Sequence, residues 1–157
     1  MQIHFWYIGK DKHKFVNEGS QKFILRINRY VTSFKEHAFK SGPNAKNTGL
    51  IKKIEAEFVH KKLDKNDYLI ILDENGDSMN SIKFSNFILR LKEHGFNKKI
   101  IFLIGGAYGL DDSLKKRANK IISLSEMTFS HQIIRIMFLE QLYRAFTILK
   151  GEKYHNE

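Results

Sequence analysis

Residues 100–109 read IIFLIGGAYG, a run of apolar side chains that ends in a cluster of glycines. Consecutive apolar residues of mostly branched and aromatic type predict a strand that is buried on both faces. The glycines that follow permit positive φ angles and let a ligand come close to main-chain amides. Such a turn also serves strand-to-helix packing, and its spacing matches neither the Rossmann nor the phosphate-loop pattern. The run alone therefore predicts a buried strand and leaves the function of its glycines open.

Strands and helices alternate over the rest of the chain. The predicted strands occupy residues 2–8, 33–39, 67–72, 100–104 and 120–124. The predicted helices occupy residues 14–30, 50–63, 81–94, 111–116 and 130–149. Residues 40–49 are predicted to form a loop and residues 73–77 a turn, because both are rich in turn-forming residues. The alternation predicts an α/β fold with a largely parallel sheet covered on both faces, whose ligand lies at the carboxyl ends of the strands.

Length and composition narrow the class of protein. The length of 157 residues and a hydrophobic content of 42% predict a single domain that spans residues 1–157. Because the sequence has no cysteine, disulfides and thiolate zinc sites are excluded, and we expect no metal. No apolar run approaches the roughly 20 residues of a membrane span, and residues 1–10 do not resemble a secretion signal. We therefore expect a cytoplasmic protein that does not bind membranes.

The formal net charge of +10 is concentrated in one part of the chain. Residues 10–62 contain 13 Lys and Arg against 5 Asp and Glu, whereas residues 63–157 contain 14 against 12. A local basic surplus is the footprint expected of a protein that neutralises phosphates, although a solvated lysine-rich surface gives the same count. We favour a nucleic-acid partner, with Lys52 and Lys53 as candidate contacts.

Several motifs in the second half of the chain occur in a fixed order. They are IGGAYGL at 104–110, LSEMTFSHQ at 124–132, Arg135, EQLYRA at 140–145 and the pair Tyr154-His155. With these motifs the whole chain resembles the RlmH family. The resemblance implies a SPOUT-class α/β fold with a deep trefoil knot, a homodimer, and methylation of N3 of a pseudouridine in 23S ribosomal RNA of the large subunit. The methyl donor it implies is S-adenosylmethionine. General topology rules alone would predict an unknotted sheet.

By position, the resemblance places the cofactor contacts at three segments that each follow an apolar strand. The contacts are Leu72, Gly105 and the stretch Leu124, Ser125, Glu126, Met127, Thr128 and Phe129. The apolar members of this set also fit simple core packing. Both interpretations hold together, because an adenine ring needs apolar walls while main-chain groups contact its polar edge.

The final helix and the tail carry the candidate catalytic residues. His131 and Arg135 are four residues apart and share a helix face, although without the motif a partly buried histidine and a surface ion pair would be the favoured explanation. The resemblance assigns catalysis to this pair and to Tyr154 and His155 of the polar tail. We expect His155 or His131 to accept the proton of N3, and Arg135 to stabilise the anion that results.

Three further features of this region carry expectations. Ser130 stands where the family often has proline, and we expect it to cap the helix. Arg144 is a candidate RNA or interface contact, while a surface salt bridge to Glu140 four residues earlier is the simpler explanation. The tail, residues 150–157, has Asn156 where family members commonly have a basic residue. This puts one phosphate or base contact in doubt.

The apolar residues of the final helix cover most of its circumference, which predicts burial against a second copy of the chain as well as against its own domain. Two other functions remain open. One is a SPOUT methyltransferase that acts on transfer RNA, and the other is a non-catalytic RNA-binding or ribosome-associated module. A nicotinamide-dependent oxidoreductase is disfavoured, because no Gly-x-Gly-x-x-Gly motif follows the first predicted strand.

Overall fold

Five parallel strands form one sheet in the computed structural model, which describes residues 1–9, 13–44, 46–93 and 99–155. The strands are β1 (Gln2–Ile8), β2 (Ser33–Phe39), β3 (Tyr68–Ser78), β4 (Lys99–Ile104) and β5 (Lys120–Ser123). Their order across the sheet is β2-β1-β4-β3-β5, and every neighbouring pair is parallel. The helices are α1 (Lys14–Ile27), α2 (Thr48–Lys62), α3 (Ser81–Glu93), α4 (Asp112–Arg117) and α5 (His131–Leu149). The predicted α/β fold with a parallel sheet is confirmed.

Helices cover both faces of the sheet and divide the core in two. On one face α1, α3 and α5 pack over the sheet, and the ring of Phe138 lies between those of Phe5 and Phe102 at centroid distances of 4.6 and 4.7 Å. On the other face α2 and α4 pack over Trp6 and Leu103. Strand β4 lies in the middle of this arrangement, so its apolar side chains point alternately into the two cores.

Strand β3 continues past the predicted turn. Its pairing with β5 stops at Leu72 and resumes at Asp77, so the residues between form an irregularity within the strand and do not end it. The side chain of Asp73 accepts hydrogen bonds from the backbone and side chain of Asn75 (3.0 and 3.1 Å). A Cβ added at Gly76 would lie 2.6 Å from the backbone of Ile122, so only glycine fits beside β5. The prediction that the strand ends at this turn is therefore wrong, because the turn-forming residues produce a bulge within the strand.

Most other boundaries agree with the prediction within a few residues. Helix α5 begins after Ser130, whose side chain accepts a hydrogen bond from the backbone of Ile133 (3.4 Å), which confirms the predicted cap. Helix α2 begins after Asn47, whose side chain caps it in the same way. Asn156, on which the tail expectation depended, lies outside the described residues, as does residue 45 of the predicted loop.

Candidate active site: two adjoining pockets at the carboxyl edge of the sheet

A cavity of about 490 Å³ opens at the carboxyl ends of β3, β4 and β5. We call it the glycine-loop pocket, because the turn Gly105–Gly109 forms one wall and the segment after β5 forms another. Its position is the one predicted for a ligand of a parallel sheet. The predicted cofactor residues that line it are Leu72, Gly105, Leu124, Ser125, Met127, Thr128 and Phe129. Glu126 is exposed and does not line it.

The glycine turn is closed by contacts within itself. Gly109 has a φ of +77°, a conformation that favours glycine, and its N–H donates to the carbonyl oxygen of Gly106 (3.0 Å). A Cβ added at Gly105 would lie 2.9 Å from the carbonyl carbon of Gly109 and 3.0 Å from the Leu110 side chain. Gly105 is therefore required for the closure of the turn, in addition to lining the pocket.

Hydrogen bonds fix the loop that follows β5. The Ser123 hydroxyl donates to the carbonyl oxygen of Ser125 (2.8 Å), and the Ser125 side chain accepts from the backbone of Met127 (2.9 Å). The Thr128 hydroxyl donates to the carboxylate of Glu74, which lies in the irregular part of β3 (2.7 Å). The segment after β5 is thus fastened to itself and to β3, which fixes this wall of the glycine-loop pocket.

An ion pair and a second lysine line the rim of the same pocket. Lys115 lies 2.9 Å from the carboxylate of Asp73. Burial acts to raise the pKa of Asp73, but the hydrogen bonds from Lys115 and Asn75 outweigh it and lower that pKa below its ordinary value. Lys52 of α2 also lines the pocket, whereas Lys53 is exposed and lies outside it. Only one of the two predicted RNA contacts therefore borders the cavity.

A second cavity, of about 360 Å³, adjoins the first. We call it the Arg135 pocket. The two pockets share His131 and the residues Gly106, Ala107 and Tyr108 of the glycine turn. The wall away from the shared residues comes from the end of β1, from the loop that follows β2, and from α2. A group bound in one pocket would therefore lie next to a group bound in the other.

Arg135 is 4% exposed and brings a cation into the wall of its pocket. Its guanidinium carbon lies 3.8 Å from the centroid of the Tyr7 ring, a cation–π contact. Its Nη2 lies 3.5 Å from a carboxylate oxygen of Glu36 on β2. Burial raises the pKa of Glu36, and the charge of Arg135 opposes that rise. Arg135 does form an ion pair, but the side chains of the pair are only 5% and 18% exposed, so it is not a surface ion pair.

His131 and the tail lie at different places along α5. His131 is the first residue of the helix, is exposed, and lines both pockets. Tyr154 and His155 line neither pocket. The structure therefore brings His131 together with Arg135, and it does not bring the tail to them within one chain.

The tail is held against the second half of α5. The Tyr154 hydroxyl donates to Glu140 (3.2 Å), and burial, followed by the charge of Glu140, raises the pKa of Tyr154. Arg144 forms the expected salt bridge to Glu140, with nitrogen–oxygen distances of 3.0 and 2.5 Å. It also lies 3.3 Å from a ring nitrogen of His155 and stacks on Tyr154. The simpler explanation of Arg144 is confirmed, and its contact with RNA stays a prediction.

Comparison with known proteins identifies the family. The family model described as "Predicted SPOUT methyltransferase" matches residues 1–155. The chain is 42% identical to "Ribosomal RNA large subunit methyltransferase H" of Cytophaga hutchinsonii, over 99% of this chain and 100% of that protein. It is 40% identical to the protein of the same name of Geotalea daltonii, with the same coverage. The chain belongs to the RlmH family of SPOUT methyltransferases.

Solved structures support the RlmH fold. A probable methyltransferase from Bordetella pertussis superposes with a TM-score of 0.54 at 12% identity, covering 92% of this chain and 95% of that one. A tRNA (m1G37) methyltransferase from Aquifex aeolicus superposes with a TM-score of 0.53 at 16% identity, covering 92% of this chain and 70% of that one. At these identities the likeness shows the fold alone. The trefoil knot that the family implies stays a prediction.

RlmH enzymes take their methyl group from S-adenosylmethionine, and the glycine-loop pocket fits that cofactor. Its volume lies in the range of roughly 300–1,000 Å³ that is usual for small-molecule sites. Leu72, Leu124 and Ile134 supply apolar surface for a purine ring, while the glycine turn and the loop after β5 supply main-chain polar groups. Seven of the eight predicted cofactor residues thus line a pocket of suitable size, and their contact with the cofactor stays a prediction.

Several residues of this RlmH site were not predicted from the sequence. Tyr7, Glu36 and Glu55 surround the Arg135 pocket or its cation, and Lys115 pairs with Asp73. Only Glu55 left a signal, because it stands four residues from both Ile51 and Val59 on the buried face of α2. The others come from distant strands and helices, and no local pattern marks them.

Residues 1–9, 13–44, 46–93 and 99–155 contain neither a candidate metal site nor a candidate membrane-spanning helix. No group of three His, Asp or Glu side chains there could hold a metal ion. None of the helices in those ranges is both long and apolar enough to cross a membrane. The expectation that RlmH chemistry proceeds here without a metal stays a prediction.

Proposed function

We propose that this chain transfers a methyl group from S-adenosylmethionine to N3 of a pseudouridine in 23S ribosomal RNA. The observation that carries the proposal is the shared wall of the two pockets, which places a small-molecule cleft beside a second cavity with a buried cation. The relatives named ribosomal RNA large subunit methyltransferase H support the choice of RNA. The glycine-loop pocket would hold the cofactor, and the Arg135 pocket would hold the target base.

The cofactor supplies an electrophilic methyl group on a sulfonium. The protein mainly has to hold that methyl close to the acceptor nitrogen and in line with it, because no covalent enzyme intermediate is required. The ties between Ser123, Ser125, Thr128 and Glu74 fix one wall of the cleft, and the closed glycine turn fixes the other. The residues between the pockets would therefore set the distance between donor and acceptor.

Removal of the N3 proton needs a proton acceptor and a nearby positive charge. His131 lines both pockets and can reach a base that lies in either of them. The buried guanidinium of Arg135 would stabilise the negative charge that develops on the base and its carbonyl oxygens, more strongly than it would in water. His155 is the second candidate for the proton acceptor, and it would have to come from another copy of the chain.

We propose a homodimer that brings the tail to the pockets. Met127 is 72% exposed, Phe129 is 37% exposed, and both line the glycine-loop pocket, so apolar surface lies at its mouth; Ile133 of α5 is also 38% exposed. A second copy of the chain would cover this surface and place its Tyr154 and His155 next to it.

Ribosomal RNA would bind along the basic part of the chain. Lys52 lies at the rim of the glycine-loop pocket and Lys53 is exposed beside it on α2, where both can approach phosphates. Arg144 is already paired with Glu140, so a phosphate would have to compete with that carboxylate. The cytoplasm is where such an RNA substrate is found, and we place the protein there.

Primer extension on ribosomal RNA tests the proposal. A methyl group on N3 blocks Watson–Crick pairing, so reverse transcriptase stops one nucleotide before the modified base. We expect purified protein and S-adenosylmethionine to restore a single stop on ribosomes from cells that lack the gene. Mass spectrometry of the nucleosides identifies the product as a methylated pseudouridine. Methyl transfer to transfer RNA alone, or cofactor binding with no transfer to any RNA, would contradict the proposal.

A further inference from the structure

The carboxylate of Glu55 lies in the wall of the Arg135 pocket. Glu55 is 4% exposed, which is unusual for a glutamate unless its charge has a partner. One oxygen, Oε1, accepts a hydrogen bond from the backbone N–H of Gly42 (2.8 Å). The other, Oε2, would lie 3.3 Å from a Cβ added at Gly106, so the carboxylate stands against the glycine turn that separates the two pockets.

The hydrogen bond to Gly42 uses little of the acceptor capacity of this group. A carboxylate offers about four lone-pair sites. Among the described residues, Oε2 accepts no side-chain or backbone hydrogen bond, and the ion pair of Arg135 in the same pocket is with Glu36. The Arg135 pocket therefore presents a hydrogen-bond acceptor as well as a cation.

We propose that Glu55 selects pseudouridine over uridine by accepting a hydrogen bond from N1–H of the target base. This inference rests on the proposed function. Pseudouridine is joined to ribose through carbon, so its N1 carries a hydrogen-bond donor at the place where uridine has a C–H group. An acceptor aimed at that edge forms a hydrogen bond with pseudouridine and is left buried and unpaired with uridine, which costs binding.

The negative charge of Glu55 favours a hydrogen bond from N1–H of the base over one from N3–H. N3 loses its proton during the reaction, and a carboxylate beside it would oppose the negative charge that develops there. N1 keeps its proton throughout, so a carboxylate can hold it in both the bound and the reacting state. Arg135 meets the opposite requirement, because a cation stabilises the anion. Glu55 is accordingly a specificity and positioning residue, and it is not the proton acceptor.

Competition between two kinds of ribosome tests the inference. Both come from cells without this gene, and one strain also lacks the pseudouridine synthase, so that its target position is uridine. The affinity ratio for pseudouridine over uridine is measured for the full chain and for Glu55→Gln, which keeps an acceptor for Gly42. The matched control is Glu57→Gln, an exposed carboxylate two residues away. Thermal melting and cofactor titration check that each variant is folded.

We expect the unaltered protein to prefer pseudouridine by about tenfold or more, and Glu55→Gln to lose most of that ratio while Glu57→Gln keeps it. A ratio that Glu55→Gln leaves unchanged overturns the inference, and so does an equal loss on both ribosomes, which would indicate a proton acceptor or a structural role. If Glu55→Gln fails to fold, equal binding of both ribosomes by the unaltered protein still overturns it. Failure of the unaltered protein to methylate ribosomes that carry pseudouridine would instead refute the proposed function.

Discussion

Replacement of Arg135 by methionine separates its role in the fold from its role in catalysis. Methionine roughly fills the volume of the aliphatic stem but removes the charge that stacks on Tyr7 and faces Glu36. Removal of one partner from a buried ion pair costs about 3–5 kcal/mol. The Glu36 side chain is 18% exposed, so we expect the loss of stability to lie at the lower end of this range, about 3 kcal/mol at neutral pH.

The cost of Arg135→Met must depend on pH through Glu36. Burial raises the folded pKa of Glu36 above its unfolded value of 4.5, and Arg135 opposes that rise. Loss of Arg135 therefore raises the pKa of Glu36 further. A carboxyl group with a raised folded pKa contributes stability that is present below the unfolded pKa and is lost as pH rises through the folded pKa. The variant should thus approach the unaltered protein in stability near pH 4.5 and fall furthest below it at neutral pH.

Denaturant unfolding of four proteins measures both effects. These are the unaltered protein, Arg135→Met, Glu36→Gln and the double variant, each at pH 5 and pH 7.5. We expect Glu36→Gln to restore most of the stability of Arg135→Met at pH 7.5, because no buried charge is left unpaired. Methyl transfer should stay about 100-fold below that of the unaltered protein in the double variant, since the cation remains absent. Full recovery of activity together with stability, or a cost that does not change with pH, would refute this account of Arg135.

Three further substitutions test the remaining parts of the site. Gly105→Val should lower the melting temperature and abolish measurable cofactor binding by calorimetry, because its Cβ meets Gly109; unaltered affinity would show that the pocket is wrongly assigned. Lys53→Glu should weaken RNA binding and reduce its salt dependence while the cofactor affinity stays unchanged. Lys52→Glu should lower both affinities, because Lys52 lies at the pocket rim. If Lys53→Glu leaves the RNA affinity unchanged, Lys53 is only part of the solvated surface. Mixed Gly105→Val and His155→Ala subunits should regain activity if tails are exchanged, and inactivity of the mixed dimers would remove the shared site.

The strands of this fold were predictable because their sequence patterns are local. The apolar run of β4 is buried on both faces, and its residues alternate between two cores as such a run must. The bulge in β3 was not predictable, since Asp73 and Asn75 favour a turn in isolation and only the pairing with β5 keeps them in the strand. The local turn preference of residues 73–77 correctly predicted an irregular backbone, but it wrongly predicted that the strand ends there.

The candidate site also contains residues that the sequence indicates and residues that it does not. The predicted cofactor residues follow strands that end at one edge of the sheet, so the position of each strand in the sequence indicates them, and the resemblance to RlmH enzymes singles them out. The burial of Arg135 depends on β1 and β2, which supply Tyr7 and Glu36 from more than 90 residues away. A spacing of four residues on one helix predicts a shared face, but it does not predict what that face packs against.

The position of the tail requires either a second copy of the chain or a passive role for Tyr154 and His155. The hydroxyl of Tyr154 reaches Glu140, which lies nine residues after His131, or roughly 13 Å along the helix axis. Tyr154 donates a hydrogen bond to Glu140, Arg144 hydrogen-bonds to a ring nitrogen of His155, and the Arg144 guanidinium stacks on Tyr154, so moving the tail to its own pockets would break all three contacts. A dimer needs no such rearrangement, because a tail held in place on one copy can lie beside the pocket of the other. The same contacts that keep the tail away from its own site would then position it for the neighbouring one.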